Sequence, residues 1–300
     1  MLPRQINGIV TPVITPLLPD GTLDVDSVRK HQNFLIDHGI AAIFVLGTTG
    51  EGPALPDFVR KQMIVASSEV INHRVPLLVG ISSDGLEESL ELARFAASHG
   101  ADAVVAAPPC YFPYDHAELL EFYRILTTEQ PLPLFIYNMP AMTKINMPPE
   151  LIIAIAGLPG VVGYKDSAGD FEAFKVVAGT LKDRKDFSLL MGPDALLGQA
   201  VTVGACGGVN SGSNIAPEYF INMLKAAKDG NANEIDIWQK EITGLQAIYQ
   251  FRENICCGVA AGLKKALSLM GLCTTTMTRP ARPMEDQPVI ADFVRHYQGK

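Results

Sequence analysis

The chain alternates short apolar runs with longer stretches in which apolar residues recur at helical spacing. Apolar and β-branched residues fill eight short runs, which is typical of buried strands. These runs cover residues 8–14, 42–46, 75–81, 103–107, 132–137, 161–165, 187–191 and 205–209. Amphipathic stretches typical of helices cover residues 25–37, 57–71, 86–98, 117–127, 171–181 and 195–202. The pattern predicts eight strands, each followed by a helix.

Strands that alternate with helices predict a parallel sheet, because parallel neighbours need a long crossover connection. Eight such units in about 225 residues fit a closed (β/α)8 TIM barrel better than a doubly wound sheet. A doubly wound sheet is also expected to carry a dinucleotide or phosphate fingerprint, and the sequence contains none. The predicted fold class is therefore α/β, a (β/α)8 barrel.

From Asn231 onward the alternation stops, and only helical patterns follow. Three helices are predicted with no strand run between them, over residues 233–250, 254–270 and 285–297. Breaks between them are expected at residues 252–254 and 274–283. We therefore expect a catalytic barrel over residues 1–228 and a C-terminal helical extension over residues 229–300.

Local signals mark the ends of two predicted helices. Asp24 precedes the first helix and Asp84 precedes the third, and an aspartate in this position can cap a helix N-terminus. Gly39 and Gly100 follow the last turns of the same helices, where a left-handed glycine is common. We expect these four residues to define the helix ends.

Composition narrows the class of protein. With 48% hydrophobic and 19% charged residues, the 300-residue chain can fill one large globular core. The net charge is -8 and no basic cluster is present, which argues against a nucleic acid partner. No apolar run reaches membrane-spanning length and the N-terminus lacks a signal pattern, so no membrane association is expected.

Cysteine and histidine usage bears on compartment and metals. The five cysteines include no C-x-x-C pair, and their number is odd, which fits a reducing compartment and argues against structural zinc. The six histidines show no metal-binding spacing, and we expect them mostly at the surface. The sequence thus predicts a cytoplasmic protein.

Lys165 ends the sixth predicted strand, where the chain leaves the core for a polar loop. An ordinary interpretation is a strand-end lysine whose amine reaches water. The alternative is an amine held in a partly apolar mouth, where it is competent to attack a ketone. In a barrel, catalytic groups gather at the C-terminal ends of the strands, so the neighbouring strand ends bear on this choice.

Two of those strand ends carry candidate chemistry. After the second strand comes G-T-T-G-E-G, residues 47–52, whose hydroxyls and backbone N–H groups can bind a carboxylate or phosphate. After the fifth comes Y-N-M-P, which starts at Tyr137, and a phenol beside an amine can move protons during imine formation. The ordinary alternatives are a tight turn with solvated threonines and a tyrosine satisfied by backbone.

The remaining loops are less specific. The aromatic stretch 108–114 after the fourth strand is typical of an interface or a lid. Asp194 after the seventh strand, and N-S-G-S-N at residues 210–214 after the eighth, offer polar groups that hold a polyol or simply cap a helix.

Taken together, G-T-T-G-E, Y-N-M-P and G-Y-K-D-S-A-G-D resemble, in order and spacing, the motifs of one family. It is the dihydrodipicolinate synthase and N-acetylneuraminate lyase superfamily of pyruvate-dependent class I aldolases. The resemblance covers essentially the whole chain, including the helical tail. It implies an imine between pyruvate and Lys165, no metal or organic cofactor, and a homotetramer built from two tight dimers.

The resemblance also implies roles for residues around Lys165. Tyr137 would be the proton shuttle, and Thr48, Thr49 and Gly50 would bind the pyruvate carboxylate through hydroxyl and backbone N–H groups. Tyr111 would reach into the site of a neighbouring subunit. The backbone near Val209 would face the lysine.

Departures from the family pattern bear on the substrate. Dihydrodipicolinate synthases carry an arginine two residues after the proline of Y-N-x-P, and this chain has Met142 there. The acidic pair typical of neuraminate lyases is also incomplete, because Asp194 is followed by alanine, although Ser211 matches. The pattern around Ser167 looks more like that of 2-keto-3-deoxy sugar-acid aldolases.

We therefore expect a lyase that makes or breaks a C–C bond between pyruvate and a hydroxy-aldehyde, on a substrate similar to 2-keto-3-deoxygluconate. Ser167, Asp194 and Ser211 would hold the hydroxyl groups of that substrate. The alternatives are a 4-hydroxy-tetrahydrodipicolinate synthase, a keto-deoxy acid dehydratase and a neuraminate lyase-like enzyme. A binding barrel without turnover is more remote, since fold alone does not fix function.

Overall fold

A computed structural model describes residues 5–249, 251 and 255–299. Eight parallel strands close into a barrel in the order of the chain. They are β1 (Ile9–Pro12), β2 (Ala42–Val45), β3 (Leu77–Gly80), β4 (Ala103–Ala106), β5 (Leu134–Asn138), β6 (Val161–Asp166), β7 (Ser188–Met191) and β8 (Gly207–Val209). The predicted (β/α)8 TIM barrel is confirmed, and each strand falls within its predicted apolar run or extends one residue beyond it.

Helices connect the strands along the outside of the barrel. They are α1 (Val25–Asp37), α2 (Asp57–Ile71), α3 (Leu86–Ser98), α4 (His116–Glu129), α5 (Pro140–Thr143), α6 (Pro149–Ala156), α7 (Phe171–Leu181), α8 (Leu197–Thr202) and α9 (Pro217–Asp229). The six predicted stretches agree with helices of this set. The helices α5, α6 and α9 lie outside those stretches, and each has proline in its first turn.

Among the described residues that follow the barrel, the helices are α10 (Ala232–Gln246), α11 (Ile255–Leu269) and α12 (Pro288–Gln298). Their buried apolar residues form one continuous cluster with those of α9 and with Ile9 and Ile14 near β1. This shared core fixes the extension against the barrel. The predicted helix ends at residues 250 and 254 and the predicted break at 252–254 lie outside the described residues, and the division at residue 228 stays a prediction.

The helix ends test the four local signals. The Asp24 carboxylate accepts a hydrogen bond from the Ser27 backbone N–H at the start of α1, as predicted. Gly39 and Gly100 both adopt left-handed backbone angles, with φ of 82° and 84°. The prediction for Asp84 is wrong, because α3 begins after Gly85 without a side-chain cap. The Asp84 carboxylate instead accepts hydrogen bonds from two backbone N–H groups of the loop after β4, so it is engaged away from the start of α3.

One histidine also departs from expectation. His31 lies in α1 and is buried, although the sequence suggests the surface. Its Nε2 lies 3.1 Å from the backbone oxygen of Asn214, and burial lowers the pKa of the imidazole to about 4. Within the described part of the chain, no helix combines the length and the apolar character that a membrane crossing requires.

Candidate active site

Lys165 lies at the C-terminal end of β6, one residue before the strand ends. It pairs in register with Tyr137 of β5 on one side and with Leu190 of β7 on the other. Since all eight strands run the same way, their C-terminal ends form a single rim where side chains of different loops meet. Only 5% of Lys165 is exposed, so the amine is enclosed at this rim.

The alternation of side chains along β6 explains why Lys165 points into the barrel. Gly163 lies two residues earlier and so shares its face, whereas Tyr164 and Asp166 take the opposite face. A Cβ added to Gly163 would lie 2.2 Å from the Phe135 ring, so only glycine leaves room for that ring. The absence of a side chain at Gly163 thus lets the Phe135 ring pack against β6 on the face that carries Lys165.

Aromatic rings surround the amine. Lys165 Nζ lies over the Tyr137 ring, 3.9 Å from its centroid, and 5.2 Å from the centroid of the Phe44 ring. Among the described residues no hydrogen bond or ion pair engages this amine. The nitrogen is therefore available to an incoming ligand, with the faces of two aromatic rings beside it.

The predicted glycine turn brings two hydroxyls to this rim. Thr48 Oγ1 and the Tyr137 hydroxyl lie 3.3 Å apart and share a hydrogen bond. The neighbouring Thr49 Oγ1 lies 2.8 Å from Ser211 Oγ, in the loop after β8. Adjacent threonines thus join the turn to two different strand ends.

Gly50 completes this turn. Its carbonyl accepts a hydrogen bond of 2.7 Å from Thr15 Oγ1, and a Cβ at this position would lie 2.7 Å from the Val13 oxygen. The backbone therefore packs too closely against β1 and its loop for any side chain at this position. Val209, the last residue of β8, lies on the same rim and pairs with Val10.

Asp194 faces protein groups. Its carboxylate accepts the Gly212 backbone N–H at 3.1 Å and the Tyr249 hydroxyl at 3.4 Å. Burial raises the pKa of this carboxyl to about 6. Asp194 thus joins the loops after β7 and β8 to the helical extension, and its contacts in this structure hold these elements together.

Ser167 is partly buried, whereas Tyr111 is largely exposed. Ser167 follows β6, its backbone N–H bonds to the Asn138 oxygen at 2.9 Å, and its hydroxyl lies against Gly192. Tyr111 is 77% exposed and the next residue, Phe112, is 61% exposed. The Asp84 carboxylate holds their loop by accepting the backbone N–H groups of Cys110 and Tyr111 at 2.8 and 3.0 Å.

A cavity of about 660 Å³ opens beside Thr48 and Tyr137. Met142 and Arg279 also line it, together with Met277 of the segment between α11 and α12. Lys165 is not part of its wall but contacts it through the Tyr137 ring. The space is large enough for a small organic ligand beside the amine.

Sequence reasoning missed two groups of buried polar residues around the site. Asp166 accepts the Tyr164 hydroxyl and the Ala168 backbone N–H, and burial raises the pKa of its carboxyl. Glu51, the last polar residue of the glycine turn, binds Lys264 of α11. Alternation along β6 assigns Asp166 to the face opposite Lys165, whereas no local pattern in the sequence pairs residues 51 and 264.

Metal binding finds no support among the residues that are described. No group of three His, Cys, Asp or Glu side chains lies close enough together there to hold an ion. The expectation that no metal or organic cofactor is needed stays a prediction.

Comparison with known proteins identifies what this arrangement resembles. The sequence model of the dihydrodipicolinate synthetase family matches residues 5–290. The solved dihydrodipicolinate synthase of Bacteroides thetaiotaomicron is 41% identical, with a TM-score of 0.91 and coverage of 98% of this chain and 99% of that one. The crystal structure of YagE from E. coli K12, a dihydrodipicolinic acid synthase family protein in complex with pyruvate, is 27% identical, with a TM-score of 0.88 and 98% coverage of both chains.

A relative with a different name matches comparably well. The Escherichia coli K12 protein named probable 2-dehydro-3-deoxy-D-pentonate aldolase YjhH is 30% identical over 279 residues. The match covers 92% of this chain and 91% of that protein. Relatives of this chain thus carry names for two reactions.

Proposed function

The chain belongs to the dihydrodipicolinate synthetase family, and we propose that it forms an imine between Lys165 and pyruvate and makes or breaks a C–C bond through it. As a member of this family it is a class I aldolase or lyase.

One observation carries the mechanism, namely the enclosed Lys165 amine over the Tyr137 ring, 3.9 Å from its centroid. The same tyrosine bonds to Thr48 through its hydroxyl. A nucleophile with an adjacent proton-transfer group is what imine chemistry requires. Pyruvate bound in the related YagE structure supports pyruvate as the keto acid here.

Imine formation joins Lys165 Nζ to the ketone carbon, and the ketone oxygen leaves as water. The pyruvate carboxylate binds the turn at Thr48, Thr49 and Gly50, whose hydroxyls and N–H groups are donors. Tyr137 supplies the proton that the departing oxygen needs. The Thr48 hydroxyl beside it passes protons to and from the tyrosine.

Cleavage of a bound keto-deoxy acid then uses the imine as an electron sink. Tyr137 removes the proton from the hydroxyl at the bond to be cleaved, the C–C bond breaks, and its electron pair moves into the iminium to give an enamine. The aldehyde leaves. A proton returns to the enamine carbon, and water hydrolyses the imine to release pyruvate and restore the lysine.

For the substrate we propose a 2-keto-3-deoxygluconate-like acid with a neutral hydroxylated tail. Met142 lines the cavity where an arginine would hold a second carboxylate, and it offers an adaptable apolar wall. Ser167 and Ser211 are the hydroxyl-bearing residues proposed to bind the tail, and Asp194 supports the Ser211 loop through Gly212. The name of the YjhH relative favours this substrate class.

A second candidate is 4-hydroxy-tetrahydrodipicolinate synthesis, and Arg279 is the observation that favours it. Arg279 lines the same cavity as Met142, from the segment between α11 and α12. A carboxylate on the second substrate would find a cation in this cavity, supplied from a different segment of the chain. The name of the Bacteroides relative points the same way.

The two candidates separate in one comparison on a single preparation. Pyruvate release from 2-keto-3-deoxygluconate and its relatives is measured against condensation of pyruvate with aspartate semialdehyde. We expect kcat/KM for cleavage to be at least about tenfold higher, since a lost charged contact weakens binding by roughly that factor or more. Efficient condensation with inert keto-deoxy acids would favour the synthase, and loss of water without aldehyde release would identify a dehydratase.

We also propose assembly into a homotetramer in which Tyr111 completes a neighbouring site. The adjacent exposed rings of Tyr111 and Phe112 support a protein contact at this loop. Mixing inactive Lys165→Ala subunits with inactive Tyr111→Ala subunits should restore activity if subunits exchange. A cytoplasmic location stays a prediction.

A further inference from the structure

A buried ion pair ties the glycine turn to the helical extension. The Glu51 carboxylate accepts a hydrogen bond of 2.5 Å from Lys264 Nζ and one of 2.8 Å from the Thr278 backbone N–H. The Lys264 side chain has no exposed surface, and that of Glu51 is 9% exposed. Lys264 also donates to the Thr276 carbonyl at 2.7 Å. Both charges are therefore desolvated and fully paired.

The turn that this pair holds is backbone-strained at both ends. Leu46 precedes it and Glu51 lies near its end, and both adopt left-handed angles that non-glycine residues avoid, with φ of 60° and 58°. Such residues persist only where the surroundings over-determine them. For Glu51 those surroundings are Lys264 and Thr278, which hold its side chain from outside the turn.

Backbone bonds carry this constraint to the reacting groups. The Glu51 N–H donates to the Thr48 carbonyl at 3.0 Å, and the Gly52 N–H donates to the Gly47 carbonyl at 3.1 Å. Thr48 in turn bonds to Tyr137. A continuous path therefore runs from Lys264 through Glu51 and Thr48 to the tyrosine beside Lys165.

We propose that Lys264 is a positioning residue for the reaction, which acts through Glu51 to hold the Thr48–Thr49 turn in its ligand-binding shape. The inference rests on the proposed function in one respect, that the turn binds the pyruvate carboxylate. It gives the helical extension a role in the site, since α11 supplies the lysine. An apolar pair would fill the same space without desolvating two charges, so stability alone does not account for these residues.

The test compares Lys264→Met with Lys265→Met. Lys265 is the next residue of α11, and its ion pair with Asp286 lies within the helical extension and away from the turn. The two variants carry the same substitution on the same helix, so general effects on α11 are matched. Glu51→Gln is the second variant, because it keeps the side-chain shape and the Thr278 contact if Lys264→Met does not fold.

Two readouts are taken on folded protein. The first is hydrogen exchange of the 47–52 backbone amides without ligand. The second is the pyruvate concentration that gives half-maximal borohydride-trapped adduct. We expect faster exchange in the turn and at least about a tenfold higher half-saturating concentration for Lys264→Met or Glu51→Gln, with Lys265→Met within about twofold of wild type.

The amount of adduct trapped at saturating pyruvate separates a positioning role of Lys264 from simple destabilisation of the fold. Lys165 is intact in these variants, so saturating pyruvate should restore the full adduct, whereas a partly unfolded protein would lose plateau without a shifted midpoint. Equal exchange and equal midpoints in Lys264→Met and Lys265→Met would overturn the inference. If wild type traps no pyruvate but the turn still loses protection in Lys264→Met, the proposed function fails while the constraint on the turn stands.

Discussion

The Lys165 amine lies over the face of the Tyr137 ring, 3.9 Å from its centroid, while the hydroxyl of that ring lies 3.3 Å from Thr48 Oγ1. One side chain thus contacts the nucleophile through its π face and joins the hydroxyl pair through its oxygen. The two contributions are separable by substitution. Removing the hydroxyl alone is therefore expected to have a different effect from removing the whole ring.

Tyr137→Phe removes the hydroxyl but keeps the ring beneath Lys165. We expect kcat to fall by roughly 10²- to 10⁴-fold, the usual contribution of a positioned acid–base group, while pyruvate is still trapped on the lysine by borohydride. Steady-state cleavage and adduct mass measure the two effects. Tyr123→Phe is the matched control, because the Tyr123 hydroxyl bonds to the Ala106 oxygen away from the amine. Full activity in Tyr137→Phe would show that the Tyr137 hydroxyl does not transfer the proton.

Gly163→Ala tests how β6 positions the lysine. The added methyl would lie 2.2 Å from the Phe135 ring and 3.0 Å from the Ser188 oxygen, so the strand or the ring must move. We expect a loss of about 1–3 kcal/mol in the free energy of unfolding, measured by denaturant titration, together with reduced activity.

The control for this substitution is Gly179→Ala in α7. Nothing lies within 4 Å of a Cβ at that position, so alanine should stabilise the helix by about 0.5–1 kcal/mol. Comparable stability of both variants would show that the interior tolerates a methyl group beside Lys165.

Much of the fold follows from local pattern. The Asp24 carboxylate caps the start of α1, and each buried strand falls in a short run rich in apolar residues, so short-range chemistry marks both kinds of element. Asp84 fails as a cap because its best donors, the N–H groups of Cys110 and Tyr111, come from a distant loop. A single sequence carries no signal for that competition.

The candidate site also contains residues that the sequence predicts and residues that only the tertiary structure reveals. Lys165 and Tyr137 are predictable because a polar residue that ends a buried strand must lie at the barrel rim, and neighbouring strands bring the two together. The pairing of Glu51 with Lys264 depends on how α11 packs against the turn, which only the tertiary structure shows. Asp194 looks like a ligand residue in sequence, yet folding surrounds it with Tyr249 and Gly212.

His31 makes the stability depend on pH. Its pKa is about 4 in the folded protein and 6.5 in the unfolded chain, so between these values the unfolded chain binds more protons and stability falls as pH drops. The contribution is about 3 kcal/mol between pH 7 and pH 4. Asp194, with its pKa raised to about 6, contributes with the opposite sign.

The measurement is the free energy of unfolding at pH 7 and pH 4 for wild type and His31→Gln. Glutamine places an amide near the imidazole Nε2 and does not titrate. We expect the variant to lose about 3 kcal/mol less than wild type on acidification. Identical pH profiles would mean that His31 is not buried as a neutral group.

Met142→Arg tests the basis of substrate choice. An arginine at this cavity wall restores a fork for a second carboxylate, so condensation with aspartate semialdehyde should improve by about tenfold in kcat/KM. Met142→Lys is the matched control, since it adds the charge without the fork and should gain less. An unchanged ratio of condensation to cleavage in Met142→Arg would place the determinant of substrate choice elsewhere, with Arg279 the next residue to substitute.

The central claim is that Lys165 is the imine-forming residue. Wild type and Lys165→Met are treated with borohydride in the presence of pyruvate, digested, and examined by peptide mass spectrometry. The account predicts the mass of one reduced pyruvate on the peptide that contains Lys165, loss of activity in step with labelling, and no such adduct in Lys165→Met. A label on another lysine, or catalytic activity that survives in Lys165→Met, would contradict it.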